Sequence, residues 1–353
     1  MKLIHCADLH LDSPLETNLS GEKAKERARE LRDTFLRMVR YADAEGVSAI
    51  LIAGDLFDSA SVRVSTYRFF LDTVAAYPSI SFFYLSGNHD RGVREASDEL
   101  PANLFCFCDG WKTYDLGEVT VTGSEDANEE TLSLDADRCN VVMLHGQERA
   151  GVGKRETDVI RMGLLRGKSI DYLALGHVHS YREISLDARG RAVYCGCLEG
   201  RGFDECGECG FVLLDVVGKR IAHQFVPFAR RRLFTVEVNV EGASSHAALE
   251  ARVLDAVRTL DASSLVKVVL TGARSDVMLI DTQTLAERLS ERFYFAKVRD
   301  ESTVRISPAD YEGDVSLRGA FVRRVLSSEL SLEEKERVIA CGLRALSGEE
   351  LGV

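Results

Sequence analysis

Long apolar runs are missing from this sequence. No stretch approaches the ~18 consecutive apolar residues of a membrane-spanning helix. A secretory hydrophobic region is missing too, because the opening Lys2-Leu3-Ile4-His5-Cys6 leads directly into polar residues. Internal repeats and low-complexity segments are also absent from the sequence. We therefore expect no membrane association and a cytoplasmic location.

An excess of positive charge is likewise missing, since the net charge is -12 at pH 7. Proteins that coat nucleic acid are usually basic, so the charge argues against a broad DNA-binding surface. It does not exclude an enzyme that acts on phosphates. Metal ions held by carboxylates can supply positive charge locally, where the phosphate binds.

Strands and helices alternate in the first part of the chain. Strands are predicted at 2–7 and 47–53, with helices at 21–45 and 63–76 between and after them. This alternation predicts an α/β fold built on a mainly parallel sheet. The length of 353 residues predicts about two domains.

The composition changes near Phe228, where an alternating strand, a helix, a strand, a helix and a strand follow one another. We therefore divide the chain into a main domain at 1–229, a small α+β domain at 230–300 and a helical tail at 301–353.

The tail is predicted to end in a helix at 332–346, with Ser331 and Glu334 at capping-box positions. The apolar residues on one face of this helix are Val338, Ile339, Gly342, Leu343 and Leu346. This face either packs on its own domain or docks a partner, and the sequence leaves both alternatives open.

Polar side chains follow the predicted strands at the points where the strands end. They are Asp8, His10, Asp55, Asn88, His89, His145, His177 and His179. Ligands of open α/β sheets bind at the carboxyl ends of the strands, and clusters of His and Asp there are typical of metal sites. Spacing by two predicts that Asp8 and His10 share a face, as do His177 and His179. His5 has the opposite parity and is interpreted as a hydrogen-bonded core residue.

Seven of these side chains are candidate metal ligands: Asp8, His10, Asp55, Asn88, His145, His177 and His179. Imidazole, carboxylate and amide ligands without a thiolate suit Mn²⁺, Fe²⁺ or Zn²⁺ better than Ca²⁺. Seven ligands are too many for one ion and enough for two ions that share a carboxylate. Two ions ~3.5–4 Å apart support in-line displacement at phosphorus by an activated hydroxide.

The motifs DxH, GD, GNHD, HG and GHxH occur in this order between residues 8 and 179. This set resembles the calcineurin-like metallophosphoesterase superfamily. The resemblance implies a four-layer α/β/β/α sandwich that holds two metals. It assigns one ion to Asp8, His10, Asp55 and His179, and the other to Asp55, Asn88, His145 and His177. It also implies that His89 contacts the scissile phosphate and protonates or orients the leaving oxygen.

A finer resemblance covers nearly the whole chain. The opening Ile4–His10, Gly54–Asp58, Glu199–Arg201 and Ser316–Gly319 are similar to SbcD-type DNA-repair nucleases, and most to their shorter YhaO-like relatives. The resemblance implies a Mn²⁺-dependent phosphodiesterase that acts on DNA as an exonuclease or endonuclease. It further implies an SMC-like ATPase partner, a capping role for the small domain and a homodimer.

The chain departs from this pattern in a group of cysteines, Cys195, Cys197, Cys206 and Cys209. Their spacing is compatible with a structural zinc site of four thiolates, although such spacing also arises by chance. The nine cysteines as a whole indicate reduced thiols or metal ligands rather than disulfides.

Basic residues that could contact a DNA backbone are Arg91, which directly follows GNHD, and Arg201. The run Arg230–Arg232 is interpreted either as a phosphate contact or as a solvated linker.

The motifs alone also allow a phosphatase or phosphodiesterase for small molecules or phosphoproteins. A further alternative is a non-catalytic scaffold that tethers DNA ends to an ATPase.

Overall fold

The structure is a computed structural model. It describes residues 1–15, 19, 21–58, 62–90, 100–108, 110–149, 158–243, 245–275, 278–305, 311 and 313–346. Contacts divide the chain into two compact units, Met1–Leu233 and Phe234–Val353. The division into three domains stays a prediction.

The first unit contains two sheets of six strands each. In the first sheet the strand order is β14-β13-β1-β2-β3-β4, with β1 to β4 parallel and β13 antiparallel to both β1 and β14. Its strands are β1 (Lys2–Cys6), β2 (Val47–Ala53), β3 (Ser81–Leu85), β4 (Leu104–Cys106), β13 (Gly210–Val217) and β14 (Arg220–Pro227).

The second sheet has the order β11-β12-β10-β7-β6-β5, with a parallel centre and antiparallel edge strands. Its strands are β5 (Lys112–Asp115), β6 (Val119–Gly123), β7 (Cys139–His145), β10 (Tyr172–Gly176), β11 (Arg182–Ser185) and β12 (Arg191–Tyr194). A separate parallel pair consists of β8 (Gln147–Arg149) and β9 (Val159–Arg161).

The apolar residues place these sheets in a four-layer sandwich. Helices α1 (Gly21–Ala44) and α2 (Val64–Ala76) pack on one face of the first sheet through a core that includes Phe35, Phe70 and Phe82. A second core joins the two sheets. A third lies between the outer face of the second sheet and α3 (Met162–Leu165). The predicted α/β/β/α fold is confirmed.

The second unit is α+β. Its three-stranded sheet has the order β15-β16-β18, and a parallel pair, β17 with β19, is a feature that the sequence does not predict. The elements before the tail are β15 (Leu233–Asn239), α4 (His246–Ala256), β16 (Leu265–Thr271), β17 (Ala273–Ser275), α5 (Thr282–Ser290), β18 (Phe295–Asp300) and β19 (Thr303–Arg305).

The tail contains α6 (Leu317–Leu326) and α7 (Leu332–Leu346). The capping box is confirmed, since the Ser331 amide donates to Glu334 Oε2 at 2.9 Å. Ile339 and Leu343 of α7 are buried in a core with Val322 and Val325 of α6. This packing supports the interpretation that the apolar face of α7 contacts its own domain.

The arginine run after the first unit's last strand is paired with carboxylates. Arg231 Nη2 lies 2.7 Å from Glu30 Oε1, and Arg230 and Arg232 pair with Glu30 and Glu208. Glu30 also contacts the fully buried Arg27. The pairs with Glu30 join the run to helix α1, which neither of the two sequence interpretations foresaw.

The described helices include none that is long and apolar enough to cross a membrane. All nine cysteines are free thiols.

His5 is a buried histidine of the core between the sheets, as predicted. Its Nδ1 lies 2.9 Å from the Tyr172 hydroxyl, and burial lowers the pKa of His5 to about 3. Protonation of His5 is unfavourable in the folded state and easier in the unfolded state, where its pKa is about 6.5. The contribution of neutral His5 to folding stability is therefore fully present above ~pH 6.5, and it is lost as the pH falls towards the folded pKa.

We expect the stability advantage of the wild type over His5→Gln to shrink by about 2 kcal/mol between ~pH 6.5 and ~pH 5. Urea unfolding of both proteins in the presence of a chelator, repeated across this pH range, measures the difference. An advantage that stays constant with pH would show that His5 takes up a proton in the folded state.

Candidate metal centre

The predicted ligands lie where strands of both sheets end. Asp8 and His10 follow β1, Asp55 follows β2, and Asn88 and His89 follow β3. His145 ends β7, and His177 and His179 follow β10. The carboxyl ends of the central strands therefore carry every one of these side chains.

Two groups of ligand atoms come together at this edge. One consists of Asp8, His10 and His179, and the other of Asp8, Asp55 and His145, with the atoms of each group within 4.8 Å of one another. His179 Nε2 lies 3.8 Å from Asp8 Oδ1, and His145 Nε2 lies 3.4 Å from Asp55 Oδ2. Such spacings fit side chains that converge on a cation.

Asn88 completes the second group. Its Oδ1 lies 2.9 Å from His145 Nε2 and 3.2 Å from His177 Nδ1. The structure thus brings an amide oxygen, which can serve as a metal ligand, next to His145 of this group and to His177, which the resemblance assigns to the same ion.

Asp55 stands between the two groups. Its Oδ2 lies 3.4 Å from His145 Nε2 and 3.9 Å from His10 Nε2, and its Oδ1 accepts the His89 amide at 3.1 Å. Its buried position in the first sheet leaves the carboxylate facing both sets of histidines. Asp8 belongs to both groups of converging atoms, and Asp55 faces a histidine of each, so both carboxylates have positions compatible with a shared ligand.

The carboxylates and histidines of the centre shift one another's pKa values. Burial alone would raise the pKa of Asp55, but the hydrogen bond to His145 outweighs it and lowers the pKa to about 2. Burial likewise opposes the charge of His145, but Asp55 and Asp8 raise its pKa to about 9. A proton on His145 then balances the carboxylates, and a divalent cation would supply the same charge.

His10 gives the clearest indication that a cation belongs here. Its ring is fully buried, and neither ring nitrogen makes a hydrogen bond within the described residues, although Nδ1 lies 2.9 Å from Asp58 Oδ1 and Nε2 lies 3.9 Å from Asp55 Oδ2. Buried polar atoms are nearly always partnered, so an unpartnered nitrogen beside two carboxylates fits a metal ligand. The donor set of imidazole, carboxylate and amide suits the divalent transition metals predicted from the sequence.

The backbone reaches this arrangement by left-handed conformations rather than by strand alternation. The φ angles are 52° at Asp8, 42° at His10, 49° at Asp55 and 98° at His177. Positive φ is uncommon for residues with a Cβ, and its clustering here is typical of functional sites. Asp8 and His10 do converge, but the prediction from extended spacing was wrong in its reason, because the strands have already ended at these residues.

Two glycines make room for the ligands. A Cβ at Gly54, whose φ is 97°, would lie 2.1 Å from His145 Nδ1. A Cβ at Gly87 would lie 2.0 Å from Asp55 Oδ1. The glycines of the GD and GNHD motifs are therefore required because ligands from other strands occupy the space of their side chains.

Asp90, the last residue of GNHD, holds its own loop in place. Its carboxylate accepts the Gly87 amide at 2.6 Å, the Leu56 amide at 2.8 Å and the Tyr84 hydroxyl at 2.7 Å. These bonds join the loop of Asn88 and His89 to the residues that follow Asp55. Sequence reasoning gave Asp90 no role.

Carboxylates also stand behind two of the histidines. Asp58 Oδ1 lies 2.9 Å from His10 Nδ1, and Glu205 Oε1 lies 2.6 Å from His179 Nδ1. Burial would raise the pKa of Glu205, but the hydrogen bond with His179 and the charge of Arg201 lower it to about 2. Neither residue was predicted from the sequence to support a ligand, although Asp58 ends the stretch Gly54–Asp58 that carries the finer resemblance.

Arg201, predicted as a DNA contact, is engaged by these carboxylates. Its Nη1 lies 2.9 Å from Asp58 Oδ1 and its Nη2 2.9 Å from Glu205 Oε1, with 17% of the side chain exposed. Its guanidinium therefore forms ion pairs with Asp58 and Glu205 of the same chain. The other predicted contact, Arg91, lies outside the described residues.

The four clustered cysteines do not converge. Cys197 Sγ and Cys209 Sγ are 3.4 Å apart and buried, whereas Cys206 is exposed and Cys195 lies in the core between the sheets. The groups of potential metal ligands found among the described residues contain no cysteine. Only Cys197 and Cys209 of the four cysteines therefore lie together, whereas the predicted structural zinc site requires all four thiolates.

Comparison with known proteins agrees with this geometry. The model of the calcineurin-like phosphoesterase family matches residues 1–181. An uncharacterized metallophosphoesterase, YhaO of Bacillus subtilis, is 27% identical over 252 residues, which cover 64% of this chain and 60% of that protein. The DNA double-strand break repair protein Mre11 of Aeropyrum pernix is 24% identical over 321 residues, or 81% of this chain and 76% of that protein. A dimetal phosphatase structure from Danio rerio aligns with a TM-score of 0.40 and 14% identity, covering 64% of this chain and 95% of that one.

The fold and the converging ligands thus have the features of the metal-dependent phosphoesterases. The chain belongs to the calcineurin-like phosphoesterase family, whose members use two divalent metals. The match to YhaO spans about three fifths of that relative.

Proposed function

We propose that this chain is a two-metal phosphodiesterase that hydrolyses DNA as the nuclease subunit of a repair complex. The observation that carries the hydrolytic part is the position of Asp55 between two groups of ligands, beside the unpartnered His10 Nε2. The resemblance to Mre11 supports the substrate, because it extends over 81% of the chain and so beyond the family domain.

The proposed ligand sets share Asp55. Asp8, His10, Asp55 and His179 would hold one ion, and Asp55, Asn88, His145 and His177 the other. Mn²⁺ is the proposed metal, with Fe²⁺ and Zn²⁺ as alternatives. When bound, a metal pair supplies a hydroxide nucleophile and charge stabilisation at the phosphoryl oxygens.

His89 is proposed to act on the substrate rather than on the metals. Its backbone amide is tied to Asp55 Oδ1, its side chain is exposed, and its ring centroid lies 5.3 Å from that of His10. An exposed imidazole at the edge of the centre can donate a proton to the leaving oxygen, or hold that oxygen in line.

The partners and the compartment are proposed on the same resemblance. An SMC-like ATPase would bind this subunit, the small domain would cap the site and a homodimer would form. The nine free thiols support a cytoplasmic location.

The test is degradation of end-labelled linear DNA with Mn²⁺, with and without a chelator. We expect Mn²⁺-dependent cutting, and the fragment pattern then distinguishes exonuclease from endonuclease activity. A chromogenic phosphodiester and a phosphopeptide are assayed in parallel under the same conditions.

Hydrolysis of the phosphopeptide or of the chromogenic ester without any cutting of DNA would favour the alternative of a small-molecule or phosphoprotein phosphatase. A protein that binds DNA ends, retains no metal and hydrolyses none of the three would favour the scaffold alternative. Either result contradicts the proposed nuclease.

A further inference from the structure

The ring nitrogens that face away from the centre have different partners. His10 Nδ1 faces the carboxylate of Asp58 at 2.9 Å, and His179 Nδ1 faces that of Glu205 at 2.6 Å. His145 Nδ1 instead faces a neutral acceptor, the Ala53 carbonyl, at 2.9 Å. The histidines of one proposed ion thus have anionic support, and His145 of the other does not.

An acceptor at Nδ1 decides which ring nitrogen carries the proton. Because a carboxylate can only accept, Nδ1 of His179 must donate to Glu205, which leaves the Nε2 lone pair of His179 free for a cation. The negative charge of Asp58, 2.9 Å from His10 Nδ1, favours the same tautomer of His10. The negative charge behind the ring also makes the imidazole a stronger donor to a metal.

The two carboxylates are themselves held by one side chain. Arg201 Nη1 contacts Asp58, while its Nη2 and Nε contact Glu205 at 2.9 and 3.2 Å. The Arg201 amide donates to the other oxygen of Glu205 at 2.6 Å. A guanidinium can bridge two carboxylates in this way because its donors lie in a rigid plane. Each carboxylate is therefore fixed on its histidine.

We propose that Glu205 and Asp58, braced by Arg201, are positioning residues that set the affinity for the ion bound by His10 and His179. They act through the tautomer, orientation and donor strength of these two rings and do not contact the ion. This inference rests on the proposed two-metal function and adds residues that lie outside the family's motif histidines.

The test is Mn²⁺ titration of the chain and of Glu205→Gln, with free Mn²⁺ counted by electron paramagnetic resonance. We expect two bound ions in the wild type. In the variant, we expect one of them to bind ~10- to 100-fold more weakly and the other with unchanged affinity. Asp58→Asn is expected to weaken the same ion, because it removes the charge behind His10.

Glu129→Gln is the matched control. Glu129 is also a buried glutamate held by an arginine, since it accepts Arg161 Nη2 at 2.7 Å and the Arg161 amide at 2.9 Å, and it is not among the metal-centre residues. Its loss should lower stability without changing Mn²⁺ affinity. Proton–nitrogen correlations of the histidine rings add a direct signature: the Nδ1–H form of His179 should persist in Glu129→Gln and lose population in Glu205→Gln.

Wild-type affinity for both ions in folded Glu205→Gln and Asp58→Asn proteins would overturn the inference while leaving the proposed function intact. If Glu205→Gln does not fold, Asp58→Asn decides the question alone. A wild-type chain that fails to bind two Mn²⁺ ions would overturn the proposed function, and this inference with it.

Discussion

The Asp55→Ala protein is expected to lose at least ~10³-fold of its phosphodiesterase activity, because the loss of metal stabilisation is worth several kcal/mol. Asp55 Oδ2 faces His145 at 3.4 Å and His10 at 3.9 Å, so one substitution removes an oxygen from both proposed ligand sets. It also removes the acceptor of the His89 amide, which positions the GNHD loop.

The measurement is Mn²⁺-dependent cleavage of end-labelled DNA, together with the Mn²⁺ content of the purified variant. Asp187→Ala is a suitable control, since its carboxylate also accepts backbone amides, from Gly167 and Arg189 at 2.8 Å, in a loop away from the centre. Activity within ~10-fold of the wild type in Asp55→Ala would contradict a shared ligand.

The His89→Ala protein is expected to bind Mn²⁺ normally and to lose ~10²- to 10⁴-fold of its turnover rate, the range of general acid catalysis. His89 is exposed, and the ring is not part of either group of converging ligand atoms, although it lies against His10. Its side chain can therefore be removed while the metal ligands stay in place.

Metal content and turnover are measured on the same preparation of His89→Ala. A substrate whose leaving group needs no proton, such as a nitrophenyl diester, should be affected much less than DNA, because general acid assistance is then unnecessary. Loss of both metals from the variant would defeat the proposed role, as would an equal loss of rate on the two substrates.

The sequence by itself determined the main elements and the identity of the candidate ligands. Helix α1 was predicted at 21–45 and observed at Gly21–Ala44, and α7 agrees at both ends. Apolar periodicity is a local signal, and each ligand directly follows a buried strand in the chain. The convergence of Asp8 and Asp55 was predictable because the carboxyl ends of neighbouring parallel strands meet at one edge of a sheet. His145 ends a strand of the second sheet, and the packing of the two sheets brings it to these carboxylates.

Only the tertiary structure decided which side chains contact the ligand histidines on the side facing away from the metal centre. Glu205 is 26 residues from His179, and Arg201 is 143 residues from Asp58, in segments without periodic pattern. The positive φ angles at Asp8 and His177 likewise depend on hydrogen bonds between strand ends, such as the His177 amide to Asp8 Oδ1 at 3.0 Å. The short pairs β8–β9 and β17–β19 are similar cases. Contacts between distant segments leave no local pattern, since each partner alone resembles an ordinary solvated polar residue.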